Sequence, residues 1–372
     1  MPPTSPRHPR VSVVIPVYNA VDHLDECLES IVGQSIGLDA VEVVAVDDGS
    51  TDGSGALLDE WAARHPEVVR VVHQENSGAP GGPRNRAIGM ARGEFLFFAD
   101  PDDYLGLEAL ERMVAVADRV GSDVVLGKIK GVGRKAPVTA FKQTVEGGDV
   151  FTTNAVWSLT AHKLFRHSLV REQNLRFAEG IRLAEEQLFV MGAYFTATSV
   201  SVVADYDCYY LVHREDFGHL TQELPDAVPF FANVALVLAL VERHVPAGPR
   251  RNQLLYRWLT LEILGRFGAR YARQPLETRE AYLELAGQLL DKHMPADLVA
   301  ELPPLSRLRC RLITQGATDE LTALTTLVPK PRKKQPKPEA AAGPEDPAAA
   351  GQETSRLSPR RMALRIRRQL TS

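Results

Sequence analysis

Cysteine is scarce in this sequence, with only three among 372 residues. Cys27, Cys208 and Cys310 are widely separated and show no paired spacing. That pattern excludes a disulfide framework and a structural zinc site built from cysteine pairs. We therefore expect free thiols and a reducing compartment.

An excess of basic residues and a long apolar run are also missing. The formal net charge of -4 excludes a nucleic-acid binder that acts through bulk basic charge. Residues 1–10 are proline-rich and basic and contain no apolar signal core, and the most apolar later stretch, 234–241, is too short to span a bilayer. We expect a cytoplasmic protein without a nucleic-acid partner.

The first third of the chain alternates short β-branched runs with helical periods, which is typical of βαβ units. The predicted strands cover 11–15, 41–46, 69–72 and 95–99. The predicted helices cover 21–32, 54–63, 84–91 and 107–119. This order indicates an α/β fold with a mainly parallel sheet, whose ligand site lies at the carboxyl ends of the strands.

Five segments follow from the composition. Residues 1–10 are predicted to be a disordered N-terminus, and 11–225 the α/β domain. Residues 226–328 form a smaller helical module, with helices predicted at 229–244, 253–270, 277–293 and 295–302. Residues 329–355 are a disordered linker rich in Pro, Ala, Lys and Glu. Residues 356–372 are a basic tail, either an amphipathic helix on anionic lipid or a solvated segment.

The densest group of acidic residues follows the apolar strand at 95–99. Asp100, Asp102 and Asp103 are three carboxylates within four positions, so their charges repel one another. A hard divalent cation shared with a diphosphate would remove that repulsion. The alternative is a simple turn in which an aspartate caps the next helix.

Two further turns carry polar side chains next to predicted strands. Asp47 and Asp48 end a buried strand, where a carboxylate can accept hydrogen bonds from a base or ribose. Asn76 opens a Gly- and Pro-rich loop that leads to Arg84, and such a loop brings backbone amides and a guanidinium close to phosphate. A turn that only caps the following helix is the alternative for the first of these segments.

The ordered set of motifs resembles glycosyltransferase family 2. Its parts are Val14-Ile15-Pro16-Val17-Tyr18-Asn19, the Asp47 to Asp52 turn, Asn76 with Arg84-Asn85, the Asp100 to Asp103 cluster, Glu185-Glu186-Gln187-Leu188-Phe189 and His213-Arg214. Within the family, segments 76–85, 127–132, 141–142 and 185–189 are similar to the wall teichoic acid β-N-acetylglucosaminyltransferases that act on poly(ribitol phosphate). The resemblance implies a GT-A fold, that is, a Rossmann-like α/β/α sandwich.

The resemblance also implies partners and roles. The donor would be a UDP-sugar, UDP-N-acetylglucosamine first, the cofactor Mn²⁺ or Mg²⁺ held by Asp102, and the acceptor an anionic polymer. Peripheral contact with the inner face of the membrane and a trimer are implied as well. The residues implied to bind the donor nucleotide and sugar are Pro16, Tyr18, Asp47, Asp48, Asn76, Arg84, Asp100, Arg214 and His219.

One position departs from the family pattern. Where the family has the aspartate that acts as base, this chain has Glu186. A glutamate can also remove the acceptor proton, although its extra methylene moves the carboxylate by one bond. Either Glu185 or Glu186 can be the base, and Glu186 is favoured. The alternative is that both lie on a solvated helix face.

The acceptor site is predicted from a group of cations. Lys128, Lys130, Arg134 and Lys135 lie on a predicted edge strand and loop, which suits a polymer of repeating phosphates, although a solvated basic hairpin fits equally. The sequence thus predicts an inverting, metal-dependent hexosyltransferase that modifies a cell-surface polymer. Its rivals are a transferase for another UDP-hexose, a nucleotidyltransferase, and a membrane-associated scaffold that binds nucleotide sugar without turnover.

Overall fold

Short runs rich in apolar residues form the first four strands of the sheet. The computed structural model describes residues 8–181, 183–214 and 224–327. The strands are β1 (Val11–Val17), β2 (Val41–Asp47), β3 (Val69–His73) and β4 (Phe95–Phe98). They pair in parallel in the spatial order β3-β2-β1-β4. Strands β1 and β2 are buried along their whole length, as expected for a sheet that is covered on both faces.

The helices between these strands begin and end close to the predicted positions. They are α1 (Val21–Val32), α2 (Ser54–Arg64), α3 (Gly81–Met90) and α4 (Ala109–Val120). Apolar residues at helical spacing bury one face of α1, including Leu24, Leu28 and Ile31. The predicted α/β fold with its parallel section is therefore confirmed.

The second half of the sheet is mixed. It contains β5 (Tyr104–Leu105), β6 (Val124–Val132), β7 (Val145–Gly148), β8 (Leu164–Arg166) and β9 (Val200–Val212), with helices α5 (His167–Glu172) and α6 (Glu186–Thr196). Strand β8 is antiparallel to both β4 and β6, whereas β6 runs parallel to β9. Strands β5 and β7 are antiparallel to β9. The parallel pattern predicted from the sequence thus applies to β1–β4 and not to the whole sheet.

A helical region follows residue 226. Its helices are α7 (Ala227–His244), α8 (Pro249–Arg257), a π-helix (Trp258–Ile263), 3-10 turns (Leu264–Arg266 and Tyr271–Arg273), α9 (Leu276–His293), α10 (Ala296–Glu301), α11 (Pro304–Thr314) and α12 (Thr318–Leu327). The single helix predicted over 253–270 is wrong, because the α-helix changes to π and then 3-10 geometry. The last two helices were not predicted.

Helix α7 is long and apolar enough to cross a membrane by length and composition alone. In this structure it packs against α6 and α9. Phe230, Phe231, Val234 and Leu238 are buried in those contacts. Part of α7 is therefore buried against neighbouring helices, while Val228 and Leu236 are exposed.

The three cysteines are buried free thiols, as the sequence predicted. Most of the predicted N-terminal segment, the linker at 329–355, the basic tail at 356–372 and residue His219 lie outside the described residues.

Candidate active site

The loop after β2 is fixed by Asp47. One of its carboxylate oxygens accepts the Ser50 N–H at 3.0 Å, and the other lies 2.8 Å from His73 Nδ1. His73 also reaches Asp59 at 3.1 Å, and these two carboxylates raise the pKa of the imidazole. Asp47 thus shapes the turn in this structure. Direct contact with the nucleotide stays a prediction.

Asp48 is buried and holds the next loop. It accepts hydrogen bonds from Gln74 Nε2 at 2.6 Å and from Ser77, whose N–H and hydroxyl lie at 3.1 and 2.9 Å. Exposed Asn76 accepts the Gly78 N–H at 2.6 Å. Both oxygens of Asp48 are therefore engaged by protein groups, and its predicted nucleotide contact is likewise still a prediction.

The end of β1 meets the same loops. Pro16 is buried within the strand, whereas Tyr18 is half exposed beyond it. Asn19 adopts a left-handed conformation with φ of 49°, and its side chain accepts the Thr51 N–H at 2.8 Å. An exposed aromatic ring at the carboxyl end of a strand can stack on a base. This geometry is consistent with the predicted role of Tyr18.

Arg84 joins two acidic segments that are far apart in sequence. Its guanidinium donates to Glu185 Oε1 at 2.7 Å and to Asp100 Oδ1 at 2.8 Å. Arg84 is buried, so each carboxylate is compensated at short range. In this structure both terminal nitrogens of Arg84 bridge these carboxylates. The predicted contact of Arg84 with the diphosphate stays a prediction.

Close packing of α3 makes this bridge possible. Gly81, the first residue of α3, lies so close to segment 177–178 that an added Cβ would come within 2.2 Å of the Ala178 carbonyl oxygen. Only glycine permits that approach without a shift of backbone. The approach brings the first turn of α3, and with it Arg84, towards Glu185.

A second acidic group lies on the other side of Arg84. Asp100, Asp103 and His162 offer ligand atoms that all lie within 4.8 Å of one another. His162 stacks on the Tyr209 ring at a centroid distance of 4.2 Å, and its Nδ1 lies 3.3 Å from the Phe98 carbonyl oxygen. If Nδ1 carries the proton for that contact, Nε2 presents a lone pair towards Asp100 Oδ2 at 3.5 Å.

The protonation properties of this group fit a divalent cation. Burial lowers the pKa of His162 to about 4, so the imidazole is neutral. Burial and the neighbouring carboxylates raise the pKa of Asp102 to about 6 and that of Asp103 to about 8. Crowded carboxylates are hard-cation ligands whose mutual repulsion a metal would relieve, and a neutral imidazole offers a nitrogen ligand of borderline softness. The donor set therefore fits a divalent cation.

The candidate metal group of Asp100, Asp103 and His162 differs from the metal site that was predicted. Asp102, the predicted ligand, is not a member, and its assignment stays a prediction. Asp103 lies in the predicted cluster, but its buried carboxylate also accepts the Val212 N–H at 2.8 Å. His162 had no local signal, because it lies 59 residues beyond Asp103 and reaches the site only through the β4–β8 pairing.

The two candidate bases differ in environment. Glu185 is buried and bound to Arg84, whereas Glu186 is partly exposed at the start of α6. Burial, and then the charge of Glu185, raise the pKa of Glu186 well above that of an ordinary carboxyl group. A carboxylate of raised pKa is a stronger base near neutral pH. Neither residue lies on a fully solvated face.

Arg214 lies at the described end of the segment after β9. It donates to the Asp102 carbonyl oxygen at 2.8 Å and to Glu26 Oε2 at 3.0 Å. These contacts bring a guanidinium beside the acidic cluster, where it was predicted to meet the phosphates. His219, its predicted companion, lies outside the described residues.

The predicted acceptor cations do not form a uniform patch. Lys128 and Lys130 each pair with Asp207, at 2.8 and 2.9 Å. Arg134 and Lys135 are exposed on the following turn. Because one carboxylate offsets the two lysines in part, the positive character lies mainly on Arg134 and Lys135.

Known proteins match both parts of the chain. The family model described as glycosyl transferase family 2 matches residues 12–204, and that of the glycosyl transferase TarS linker domain matches residues 227–325. A poly(ribitol-phosphate) beta-glucosyltransferase of Bacillus spizizenii is 44% identical over 207 residues, which cover 55% of this chain and 33% of that protein. Poly(ribitol-phosphate) beta-N-acetylglucosaminyltransferase TarS of Staphylococcus aureus is 31% identical over 302 residues, covering 80% of this chain and 52% of that protein.

The fold comparison points the same way. The crystal structure of S. aureus TarS 1-349 in complex with UDP-GlcNAc matches with a TM-score of 0.77 and 29% identity. The match covers 85% of this chain and 90% of that one. The chain spans about half or less of the length of these two curated relatives. Since the family model covers more than half of its residues, this chain belongs to glycosyltransferase family 2 and is similar to the wall teichoic acid transferases.

Proposed function

We propose that this chain is an inverting, metal-dependent glycosyltransferase that moves a hexose from a UDP-sugar to a hydroxyl of a polyol-phosphate polymer. The observation that carries the proposal is the Arg84 bridge, with Glu185 at 2.7 Å and Asp100 at 2.8 Å. Glu185 is the residue before the candidate base, Glu186, and Asp100 belongs to the candidate metal group. The bridge therefore connects these two parts of the site through one guanidinium.

Glu186 is the proposed general base. Its carboxylate accepts the proton of the acceptor hydroxyl while that oxygen attacks the anomeric carbon, and the bond to the UDP oxygen breaks on the opposite face. Inversion follows from this single displacement. Glu185 is less suited to the role because it is paired with Arg84. Burial and the charge of Glu185 raise the pKa of Glu186, which makes its ionised form a stronger base.

The leaving group is stabilised at the other end of the bridge. Asp100, Asp103 and His162 would hold the divalent cation, with Asp102 alongside. When bound, the cation would neutralise charge on the diphosphate oxygens. Arg214 supplies a second positive charge beside Asp102, and Arg84 keeps Asp100 in place. Tyr18 offers an exposed ring for the uracil.

Two donor sugars compete within this proposal. N-acetylglucosamine is the first candidate, supported by the TarS match along both parts of the chain. Glucose is the second, because the B. spizizenii relative that is 44% identical over 207 residues is named a glucosyltransferase. The shape of the sugar pocket decides between an acetamido group and a hydroxyl.

The choice of acceptor rests on charge. Exposed Arg134 and Lys135 suit an anionic polymer whose phosphates repeat along the chain. We also propose peripheral contact with the inner face of the cell membrane. Sedimentation with anionic vesicles tests that contact, and light scattering tests the trimer.

The first experiment is to measure UDP release from UDP-N-acetylglucosamine and UDP-glucose with Mn²⁺, with and without poly(ribitol phosphate). Release that rises with acceptor and stops with EDTA is expected. The Glu186→Gln variant should bind UDP and release none above background. Tight UDP binding without turnover of either donor would instead favour the scaffold.

A further inference from the structure

The backbone just before the candidate base is strained and is held by the helical region. Ala184 adopts a left-handed conformation with φ of 64°, which a residue with a Cβ rarely takes. Its carbonyl oxygen accepts a hydrogen bond at 2.7 Å from Asn233 Nδ2 on α7. Asn233 is fully buried, so this contact is shielded from water. A strained residue persists only where its surroundings fix it.

The backbone just after the candidate base is held by the same region. Gln187 is buried in the first turn of α6. Its amide donates to Glu262 Oε1 at 2.9 Å and accepts from Trp258 Nε1 at 2.9 Å. Both partners belong to the π-helix Trp258–Ile263, a geometry often found at functional sites. Glu186 therefore lies between two anchors that come from the helical region.

The second anchor, the contact between Gln187 and Glu262, is fixed by charge. Glu262 is buried and is paired with Arg257 at 3.2 Å and with Arg266 at 2.5 Å. Burial would raise the pKa of Glu262, but the two arginines outweigh that effect and lower it. The carboxylate that holds Gln187 thus stays ionised and rigid.

We propose that Asn233 is a positioning residue for catalysis, which holds the left-handed turn at Ala184 so that the Glu186 carboxylate faces the acceptor hydroxyl. The Gln187 anchor fixes the other side, and the helical region thereby completes the active site. This inference rests on Glu186 being the base. Misplacement of a reacting group by about 1 Å can cost on the order of a hundredfold in rate.

The test compares two buried asparagines of the helical region. Asn233→Leu removes the donor to Ala184 and keeps a similar shape. Asn252→Leu is the matched control, because Asn252 is also buried, donates to Asp297 at 2.8 Å and has an unpartnered Oδ1 like Asn233. We expect kcat for UDP release with UDP-N-acetylglucosamine, Mn²⁺ and poly(ribitol phosphate) to fall roughly tenfold to a hundredfold in Asn233→Leu only. The donor KM should change by less than about twofold.

Rescue separates positioning from general damage. Glycine adopts positive φ without strain, so Ala184→Gly should restore most of the lost kcat in the Asn233→Leu background. A purely structural defect in α7 would not respond to a change at Ala184. Equal loss of kcat in the Asn233→Leu and Asn252→Leu variants, or no rescue, would overturn the proposal.

A second measurement does not depend on turnover. Amide hydrogen exchange across residues 183–190 of the full chain should become faster in Asn233→Leu and stay unchanged in Asn252→Leu. Unchanged exchange in Asn233→Leu would overturn the positioning role. Failure of the proposed function has other signatures, whatever the exchange shows. The wild-type chain would then release no UDP from either donor, or Glu186→Gln would release UDP at the wild-type rate.

Discussion

The protonation state of Glu186 has opposite effects on the proposed catalysis and on stability. Its pKa is raised because burial and the Glu185 charge disfavour the carboxylate. The proposed role as base needs the carboxylate, whereas folding favours the protonated form. Activity should therefore rise with pH as Glu186 ionises, with a midpoint above that of an ordinary glutamate, about 4.3.

The Glu186→Gln variant tests both effects. Its rate should fall by roughly 10²–10⁴ because the base is lost. A folded pKa above the unfolded value gives stability that is present at low pH and is lost as pH rises through the folded pKa. The wild-type unfolding midpoint should thus fall relative to that of the variant as pH rises from about 4. Parallel unfolding curves, or an undiminished rate, would contradict this account.

We expect that lysine cannot replace Arg84 without loss of activity and stability. Lysine keeps the charge in Arg84→Lys but offers a single ammonium where the planar guanidinium reaches two carboxylates. We expect kcat to fall about a hundredfold and the free energy of unfolding to fall by about 1–3 kcal/mol. Steady-state kinetics and urea denaturation measure these changes.

Arg166→Lys is the matched control for Arg84→Lys. Arg166 also joins two carboxylates, Glu94 at 2.9 Å and Asp123 at 3.0 Å, away from the acidic cluster. Its replacement should lower stability without changing kcat. If the two variants lost kcat equally, Arg84 would have no special role.

At the scale of elements, the packing of α3 against segment 177–178 sets where Arg84 lies. Gly81→Ala would force backbone to move, since the new Cβ would lie 2.2 Å from the Ala178 oxygen. We expect a loss of about 1–3 kcal/mol in stability together with a lower kcat. In the same helix, Gly89 is exposed with open space around it. Gly89→Ala should raise stability by about 0.5–1 kcal/mol and leave kcat unchanged.

Element boundaries were predictable where one local pattern decided them. Strands β1–β3 are short runs rich in valine, β4 is a buried run of Phe and Leu, and helix α1 begins and ends at the predicted residues. The break at 258–273 was not predictable, because the apolar spacing of a helix continues through it while Gln187 and Arg266 draw Glu262 into a polar network. Tertiary contacts overrode local preference there.

At the scale of the whole molecule, the catalytic part and the helical region share buried contacts. Trp258 is fully buried and donates to Gln187, and Phe231 belongs to the same hydrophobic cluster as the strands. A fragment of residues 1–225 would expose these surfaces. It should lose cooperative unfolding, bind a hydrophobic dye and release no UDP above background, measured beside the full chain. Wild-type unfolding and turnover in the fragment would refute this dependence.

The candidate site was predicted only as far as its residues lie in ordered motifs. Asp100, Arg84 and Glu186 lie in such motifs and meet in the structure, directly or through Glu185. His162 and Asn233 could not be found in this way, since each lies alone in its segment and reaches the site through strand pairing or helix packing. A single sequence gives no signal for contacts of that kind.

The polar contacts around Ala184 and Gln187 also restrict how this chain can recombine with its relatives. A chimera that joins residues 1–225 to a foreign helical region inherits the strained turn but not the amide of Asn233 or the carboxylate of Glu262 that hold it. Domain exchange in this group should therefore succeed only when the foreign helical region carries groups equivalent to Asn233 and Glu262. The two regions are then expected to be inherited together.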